Sequence, residues 1–202
     1  MSAMTGESIS TVAEEDLLRA QLYQMLSHFL GNPPSKKDLD SLAAMDGDTS
    51  PLGEAIASLA KIAGKTDVVL VAQEYQDLFI GVGRGELLPF GSYYLTGFLH
   101  EKPLAALRKD MERLRIARRE SVKVPEDHIA AVFEMMSGMI DGKYGTAYGL
   151  DEQREFFRKH VGSWAGHFMR DLEGAKASIL YAAIGTIGRI FLEIEEVAFT
   201  MD

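Results

Sequence analysis

Helical periodicity, punctuated by prolines and glycines, most constrains the fold of this 202-residue chain. Apolar residues recur three and four positions apart, as at Leu18, Leu22 and Phe29. All six prolines fall in loops or at expected helix starts, where a fixed φ and a missing N–H are tolerated. No segment shows the alternating pattern of a strand. The sequence therefore predicts an all-α protein of eight or nine helices.

Local signals place the ends of these helices. A capping-box pattern at residues 11–14 predicts a first helix over about residues 12–30. Prolines in a first turn predict helix starts at Pro103 and Pro125, with Glu126 and Asp127 near the positive end of the second of these helices. The remaining helices are expected at about 35–45, 51–63, 67–79, 151–160, 163–172 and 177–199.

A polar stretch between the helices ending near residue 118 and starting near residue 125 suggests a seam. We expect an N-terminal lobe at 1–118, a hinge segment at 119–128 and a C-terminal lobe at 129–202. One compact domain is the alternative, because a chain of this length suits either arrangement.

Composition narrows the class of function. The formal net charge of −9 argues against nucleic-acid binding, which needs clustered lysine and arginine. The chain has no cysteine, which removes disulfides, thiolate metal sites and cysteine nucleophiles and fits a reducing compartment. The N-terminal residues have no cationic start and no apolar core, so we do not expect them to form a secretory signal. The most apolar stretch, 179–194, is interrupted by Arg189 and Glu193 and is shorter than a membrane span of about 20 residues. We expect a cytoplasmic protein without stable membrane insertion.

The stretch from Glu74 to Leu95 combines three closely spaced glycines with five aromatic residues. Gly81, Gly83 and Gly85 could cradle a phosphate, but the dinucleotide-binding loop needs a strand before it and a helix directly after it. Here a helix precedes the glycines. A helix C-cap followed by a turn with positive φ is the favoured interpretation.

Catalytic and metal sites find little support. His160 and His167 are seven residues apart, so on one helix they would stand about 10 Å apart by rise alone, too far to share a metal. Ser92, His128 and Asp127 make a hydrolase triad on paper, but no serine lies in a G-x-S-x-G elbow. We expect no catalytic residue, no metal and no enzymatic activity.

Three motifs occur in order along the chain. The first is EYxxLFxG at 74–81 with PFGSxYL at 89–95, the second is PEDH at 125–128, and the third is HxxxWxxxFxxDL at 160–172. In order and spacing they resemble the TorD/DmsD/NarJ family of redox-enzyme maturation chaperones. Leu88, Phe90 and Val124 stand where that family usually has proline, tryptophan and glutamate.

The resemblance implies a TorD-like helical bundle with two lobes joined by a hinge segment. It also implies a cytoplasmic chaperone, monomeric or homodimeric, that binds the twin-arginine signal peptide or the apo form of a molybdenum-cofactor oxidoreductase before export. Some members are reported to bind guanine nucleotide, so GTP is the one candidate cofactor. The alternatives are a nucleotide-binding regulatory protein and a structural subunit of an anaerobic oxidoreductase complex.

A leader of this kind is basic at one end and apolar after it. An acidic protein with an aromatic, methionine-rich groove is complementary to both features. Glu86, Glu126 and Asp127 are the candidate carboxylates, and Leu78 or Phe79 is expected to be core instead of groove. The expected peptide-binding residues are Tyr75, Leu78, Phe79, Pro89, Phe90, Gly91, Ser92, Tyr94, Glu126, Asp127, His128 and Trp164.

Overall fold

The computed structural model describes residues 13–118 and 123–201, and over these residues the chain is all-α. The described part holds ten α-helices and one π-helical turn. The helices are α1 (Glu14–Gly31), α2 (Lys36–Ala43), α3 (Pro51–Ala63), α4 (Val68–Tyr75), α5 (Gly91–Thr96), α6 (Lys102–Arg113), α7 (Ile129–Asp141), α8 (Leu150–His160), α9 (Ala165–Gly174) and α10 (Leu180–Met201), and the π turn is Gln76–Ile80.

The core is built around α1, α7 and α10. α1 packs most extensively against α7 and also contacts α10. The ring of Tyr23 on α1 meets Phe133 of α7 at 5.5 Å and Phe191 of α10 at 4.7 Å, both edge to face. Arg19 and Tyr23 donate hydrogen bonds to the buried carboxylate of Glu195. One continuous core therefore crosses the expected boundary between lobes, and the division into two lobes stays a prediction.

Small residues on α10 let α9 approach closely, as their spacing in the sequence suggests. A Cβ on Gly188 would lie 2.5 Å from the sulfur of Met169, and one on Gly185 would lie 3.0 Å from the Met169 carbonyl oxygen. A side chain at position 188 would therefore displace the Met169 side chain, and one at position 185 would press on the α9 backbone.

The expected helix at 67–79 changes its hydrogen bonding part-way. α4 ends at Tyr75, and the π turn carries the chain to Gly81, whose φ of 62° ends the helix. The N–H of Gly81 bonds to the carbonyl of Gln76 at 2.7 Å. This confirms a C-cap with positive φ. A Cβ on Gly85 would lie 2.5 Å from the backbone of Phe79, so the turn folds back tightly on the helix end.

Several helix starts differ from expectation. The capping-box residues 11 and 12 lie outside the described part of the chain, and α1 begins at Glu14 without a side-chain cap. α8, α9 and α10 begin at Leu150, Ala165 and Leu180, one to three residues from the expected starts. The helix expected to start at Pro125 is present as α7, but its predicted start is wrong, because α7 begins at Ile129 with His128 as its N-cap. No helix in the described ranges is long and apolar enough to cross a membrane.

Candidate functional site

Two of the sequence motifs meet in a short antiparallel contact. Phe90 and His128 form an isolated β-bridge, and their rings stack edge to face at 5.1 Å. The N–H of Gly91 donates to the carbonyl of Asp127, and the N–H of Ile129 donates to the carbonyl of Pro89, each at 2.8 Å. These long-range backbone bonds hold the segment before α7 extended, which is why the helix does not start at the preceding proline.

The carboxylate of Asp127 completes this contact. Its Oδ2 accepts a hydrogen bond from the backbone N–H of Ser92 at 2.8 Å, at the start of α5. Asp127 is 4% exposed and Ser92 is fully buried. A negative charge that accepts from the first turn of a helix stabilises that turn. Asp127 is thus the cap of a helix 35 residues earlier in the chain, and α5 itself is an element that the sequence did not predict.

Trp164, the single tryptophan of the chain, lies behind the motif segment. A Cβ on Gly91 would lie 3.1 Å from its indole nitrogen, which donates a hydrogen bond to the carbonyl of His160 at 2.8 Å. The ring of Tyr94 lies 5.6 Å from the Trp164 ring. The first and third motifs are therefore packed directly together, and glycine at position 91 permits it.

A partly buried His–Asp pair lies next to this tryptophan. The Nε2 of His160 and the Oδ2 of Asp110 are 2.8 Å apart. Burial lowers the pKa of His160, although Asp110 opposes this. Burial raises the pKa of Asp110, but hydrogen bonds from His160 and Arg113 outweigh it and the net pKa is lowered. The pair joins α6 to the end of α8. Sequence reasoning missed it because 50 residues separate the partners.

These side chains surround a pocket of about 390 Å³. That volume falls within the range of about 300–1,000 Å³ typical of ligand sites. The wall is mostly apolar, with a few polar groups, and five residues of the three sequence motifs form part of it. The lining residues are Gly91, Leu95, Pro103, Ala106, Leu107, Asp110, Asp127, Val132, Lys159, His160 and Trp164.

The connection between α5 and α6 presents large apolar side chains to solvent. Leu95 is 43% exposed, Phe98 69% and Leu99 40%, and Leu95 also lines the pocket. The turn is ordered, because the hydroxyl of Thr96 donates to the Ser92 carbonyl at 2.8 Å and accepts from the N–H of Phe98 at 3.2 Å. Sequence reasoning missed this surface, although adjacent Phe and Leu directly after a glycine were a usable signal.

Three of the expected peptide-binding residues lie elsewhere: two contact α10 and one is buried in the core. The rings of Tyr75 and Phe79 contact the ring of Tyr181 at 5.9 and 5.4 Å. Leu78 is fully buried in the core. This confirms the expectation that at least one of Leu78 and Phe79 is core.

Each candidate carboxylate already has an internal partner. Glu126 accepts from Arg108 at 2.8 Å and from Arg118 at 3.3 Å. Burial raises the pKa of Glu126, but the hydrogen bond and charge of Arg108 outweigh it and lower the net pKa. Glu86 accepts from two backbone N–H groups, at 176 and 177, before α10. With Asp127 capping α5, the sequence-based assignment of these three groups to a basic ligand is not supported by their bonding.

His128 and its neighbours do not form a catalytic triad. The Nδ1 of His128 accepts from the N–H of Ala130 at 3.2 Å, so this nitrogen carries no proton. Burial lowers the pKa of His128 to about 4, although the charge of Asp127 opposes the change. Asp127 bonds to the backbone of Ser92 and not to the imidazole. Among the residues of the structure, no group of His, Asp and Glu side chains is arranged to hold a metal ion.

Comparison with known proteins gives the same family as the three sequence motifs. A family model described as the nitrate reductase delta subunit matches residues 45–170. The chain belongs to this family. The resemblance to TorD, DmsD and NarJ proteins is thereby confirmed. The matched span contains the glycine turn, the Asp127 contact and Trp164.

Curated relatives carry chaperone names. The chain is 28% identical over 119 residues to a probable Tat proofreading chaperone DmsD of Haemophilus influenzae, across 58% of this chain and 56% of that protein. It is 23% identical over 171 residues to the chaperone protein TorD of Vibrio vulnificus, across 74% of this chain and 80% of that protein. The match to DmsD thus spans a little over half of that relative's length.

A solved structure shares the fold. The crystal structure of a protein described as a redox enzyme maturation protein from Archaeoglobus fulgidus superposes with a TM-score of 0.58 at 20% identity, covering 93% of this chain and 99% of the other. The all-α, TorD-like fold is therefore confirmed. The glycine turn follows a helix and not a strand, so it does not have the setting of a dinucleotide-binding loop.

Proposed function

We propose that this protein is a non-enzymatic maturation chaperone that binds the precursor of a molybdenum-cofactor oxidoreductase in the cytoplasm, before export. The ligand is the twin-arginine leader of that precursor, bound by a monomer or a homodimer of this chain. Family membership and the chaperone names of the relatives support this class of function. The observation that carries the site is the pocket whose wall is built by the motif residues Gly91, Asp127 and Trp164.

The buried motif residues position the elements that form the site, and they do not themselves have to contact the precursor. Asp127 and Ser92 fix the start of α5, and α5 sets the position of the exposed turn that follows it. Phe98 on that turn is 69% exposed, and Leu95, three residues earlier, lines the apolar pocket. Clustered exposed apolar side chains of this kind mark interaction sites. We assign the apolar part of the leader to this turn and pocket.

The charge of the chain favours the basic part of the leader. A net charge of −9 creates a field that attracts cationic segments and raises their association rate. The attraction is long-range, so it does not depend on Glu86, Glu126 or Asp127, whose carboxylates are used internally.

Isothermal titration calorimetry of the full chain against a leader peptide tests the proposal. The peptide carries two consecutive arginines followed by an apolar stretch, and its Lys-Lys counterpart is the comparison. Phe98→Ser is the site variant. Val69→Ser is the matched control, because Val69 is 71% exposed and lies on α4, away from the pocket lining.

We expect wild type to bind the Arg-Arg peptide. Phe98→Ser should weaken binding by about tenfold or more, since burying a phenylalanine contributes roughly 1.5–3 kcal/mol. Val69→Ser should leave the affinity within about twofold, an energy difference of under 0.5 kcal/mol. The absence of any heat of binding between wild type and Arg-Arg leaders would reject the proposed function.

A further inference from the structure

The guanidinium group of the protein's own Arg84 contacts a tyrosine on α5. Arg84, on the glycine turn, places its guanidinium carbon 5.5 Å from the ring centre of Tyr93. Its Nη2 also donates a hydrogen bond to the Tyr93 hydroxyl at 3.0 Å. Arg84 is exposed and Tyr93 is half-buried. An aromatic face together with an acceptor at its edge recognises the flat cation of arginine better than the ammonium of lysine.

A carboxylate with one oxygen free to accept a hydrogen bond lies on the same surface. The hydroxyl of Tyr94 donates to the Oδ2 of Asp171 on α9 at 2.8 Å, and the rings of Tyr93 and Tyr94 are 6.0 Å apart. Burial and the bond to Asp171 raise the pKa of Tyr94, so its hydroxyl remains a donor at neutral pH. Asp171 is exposed, and Tyr94 is its single hydrogen-bond partner within the described chain. Its Oδ1 can therefore accept from a guanidinium, a strong charge-assisted bond.

We propose that Tyr93, Tyr94 and Asp171 form the guanidinium subsite of the leader-binding surface, and that Arg84 occupies it in the free protein as an internal competitor. This inference rests on the proposed function and specifies how the basic end of the leader is recognised. It supplies the carboxylate that the internally paired Glu86, Glu126 and Asp127 do not.

The Arg84 side chain can leave without unfolding its loop. The carboxylate of Glu86, two residues later, anchors the turn through the N–H groups at 176 and 177. Backbone bonds from 86 and 87 to the carbonyls of Asp77 and Leu78 hold the same turn. Displacing Arg84 therefore breaks one side-chain hydrogen bond and one exposed cation–π contact, both of them weak. An incoming arginine that also reaches Asp171 makes a stronger set of contacts.

The subsite and the pocket flank the same short helix. Tyr94 packs on Trp164, which lines the pocket, and the next residue, Leu95, lines the pocket itself. One extended peptide crossing α5 can place an arginine against Tyr93 and an apolar side chain in the pocket.

Calorimetry with the same Arg-Arg and Lys-Lys peptides tests the subsite. Arg84→Ala removes the competitor. Arg170→Ala is the matched control, because it removes the same charge from an exposed position next to Asp171. Tyr93→Leu removes the aromatic face and keeps most of the apolar bulk, and Asp171→Asn removes the charge but still accepts from Tyr94.

We expect Arg84→Ala to bind the Arg-Arg peptide about two- to fivefold more tightly than Arg170→Ala does, which is the range of an exposed cation–π contact. Tyr93→Leu and Asp171→Asn should each weaken Arg-Arg binding and reduce the preference over Lys-Lys. With Tyr93→Leu in place, adding Arg84→Ala should give no further gain.

Two results would overturn the subsite while leaving the chaperone function intact. One is wild-type binding of the Arg-Arg peptide with equal affinities for Arg84→Ala and Arg170→Ala. The other is an unchanged Arg-Arg preference in Tyr93→Leu and Asp171→Asn. Failure of wild type to bind any Arg-Arg peptide would instead reject the proposed function itself.

Discussion

Replacing Asp127 with alanine should destabilise the fold substantially, because this carboxylate caps α5 from a distant part of the chain. The substitution leaves the N–H of the fully buried Ser92 without an acceptor. An unsatisfied buried donor costs about 1–3 kcal/mol, and loss of a helix cap about 0.5–2 kcal/mol; the two overlap here. We therefore expect the free energy of unfolding to fall by about 2–3 kcal/mol.

Asp67→Ala is the matched control. Asp67 caps α4 by accepting from the N–H of Val69 at 2.7 Å, but it is exposed, so water can replace the lost bond. Its loss should cost only about 0.5–1 kcal/mol. Asp127→Asn, which retains an acceptor for Ser92, should lie between the two.

Urea denaturation measures all three variants. Helical circular dichroism reports global unfolding, and the fluorescence of Trp164 reports the packing against Gly91. The reasoning would be refuted if Asp127→Ala were no less stable than Asp67→Ala. Because folding is affected, any loss of peptide binding in an Asp127 variant has to be measured where that variant is fully folded.

Two further predictions concern the same region. Gly91→Ala should cost about 1–3 kcal/mol in thermal or urea unfolding, because its Cβ meets the buried Trp164 ring; Gly166→Ala on α9, where a Cβ meets nothing within 4 Å, should be neutral or stabilising. Equal stabilities of Gly91→Ala and Gly166→Ala would show that the Trp164 ring moves aside for the added Cβ at little energetic cost. The low pKa of His128, about 4 against an ordinary 6.5, means that the unfolded chain binds more protons between these values. Unfolding free energy should therefore fall as pH drops from 6.5 to 4, by up to about 3 kcal/mol. His128→Asn, which can still cap α7, should lose that part of the slope when unfolding curves are compared, and an unchanged slope would assign it to other groups.

The helical framework was predictable because its signals are local. Spacing of apolar residues, cap residues and prolines located the long helices, although α6 ends at Arg113 and not near residue 118. The glycine after the π turn was correctly expected to have positive φ. The predictions fail where the local conformation depends on a residue that is distant in the sequence. The sequence around α5 does not show that Asp127, 35 residues away, caps this helix. It also does not show that the segment before α7 is held extended by backbone hydrogen bonds to residues 89–91.

The candidate site shows the same limit. The fold brings the motif residues Asp127, Ser92 and Trp164 together, and all three are buried. A sequence does not reveal that Glu126 is already paired with Arg108, or that Asp110 meets His160 across 50 residues. The exposed residue Phe98 lies in a turn whose conformation depends on α5. Its exposure, on which its proposed contact role depends, became visible only once that helix was in place.

Hydrogen–deuterium exchange of the full chain, with and without the Arg-Arg peptide, tests the central claim most directly. Binding at the proposed surface should slow amide exchange in α5, in the turn that follows it and in the first turns of α6, while α2 and α3 stay unchanged. The Lys-Lys peptide should give weaker protection at the same residues. Protection confined to other helices, or no protection at saturating peptide, would contradict the account.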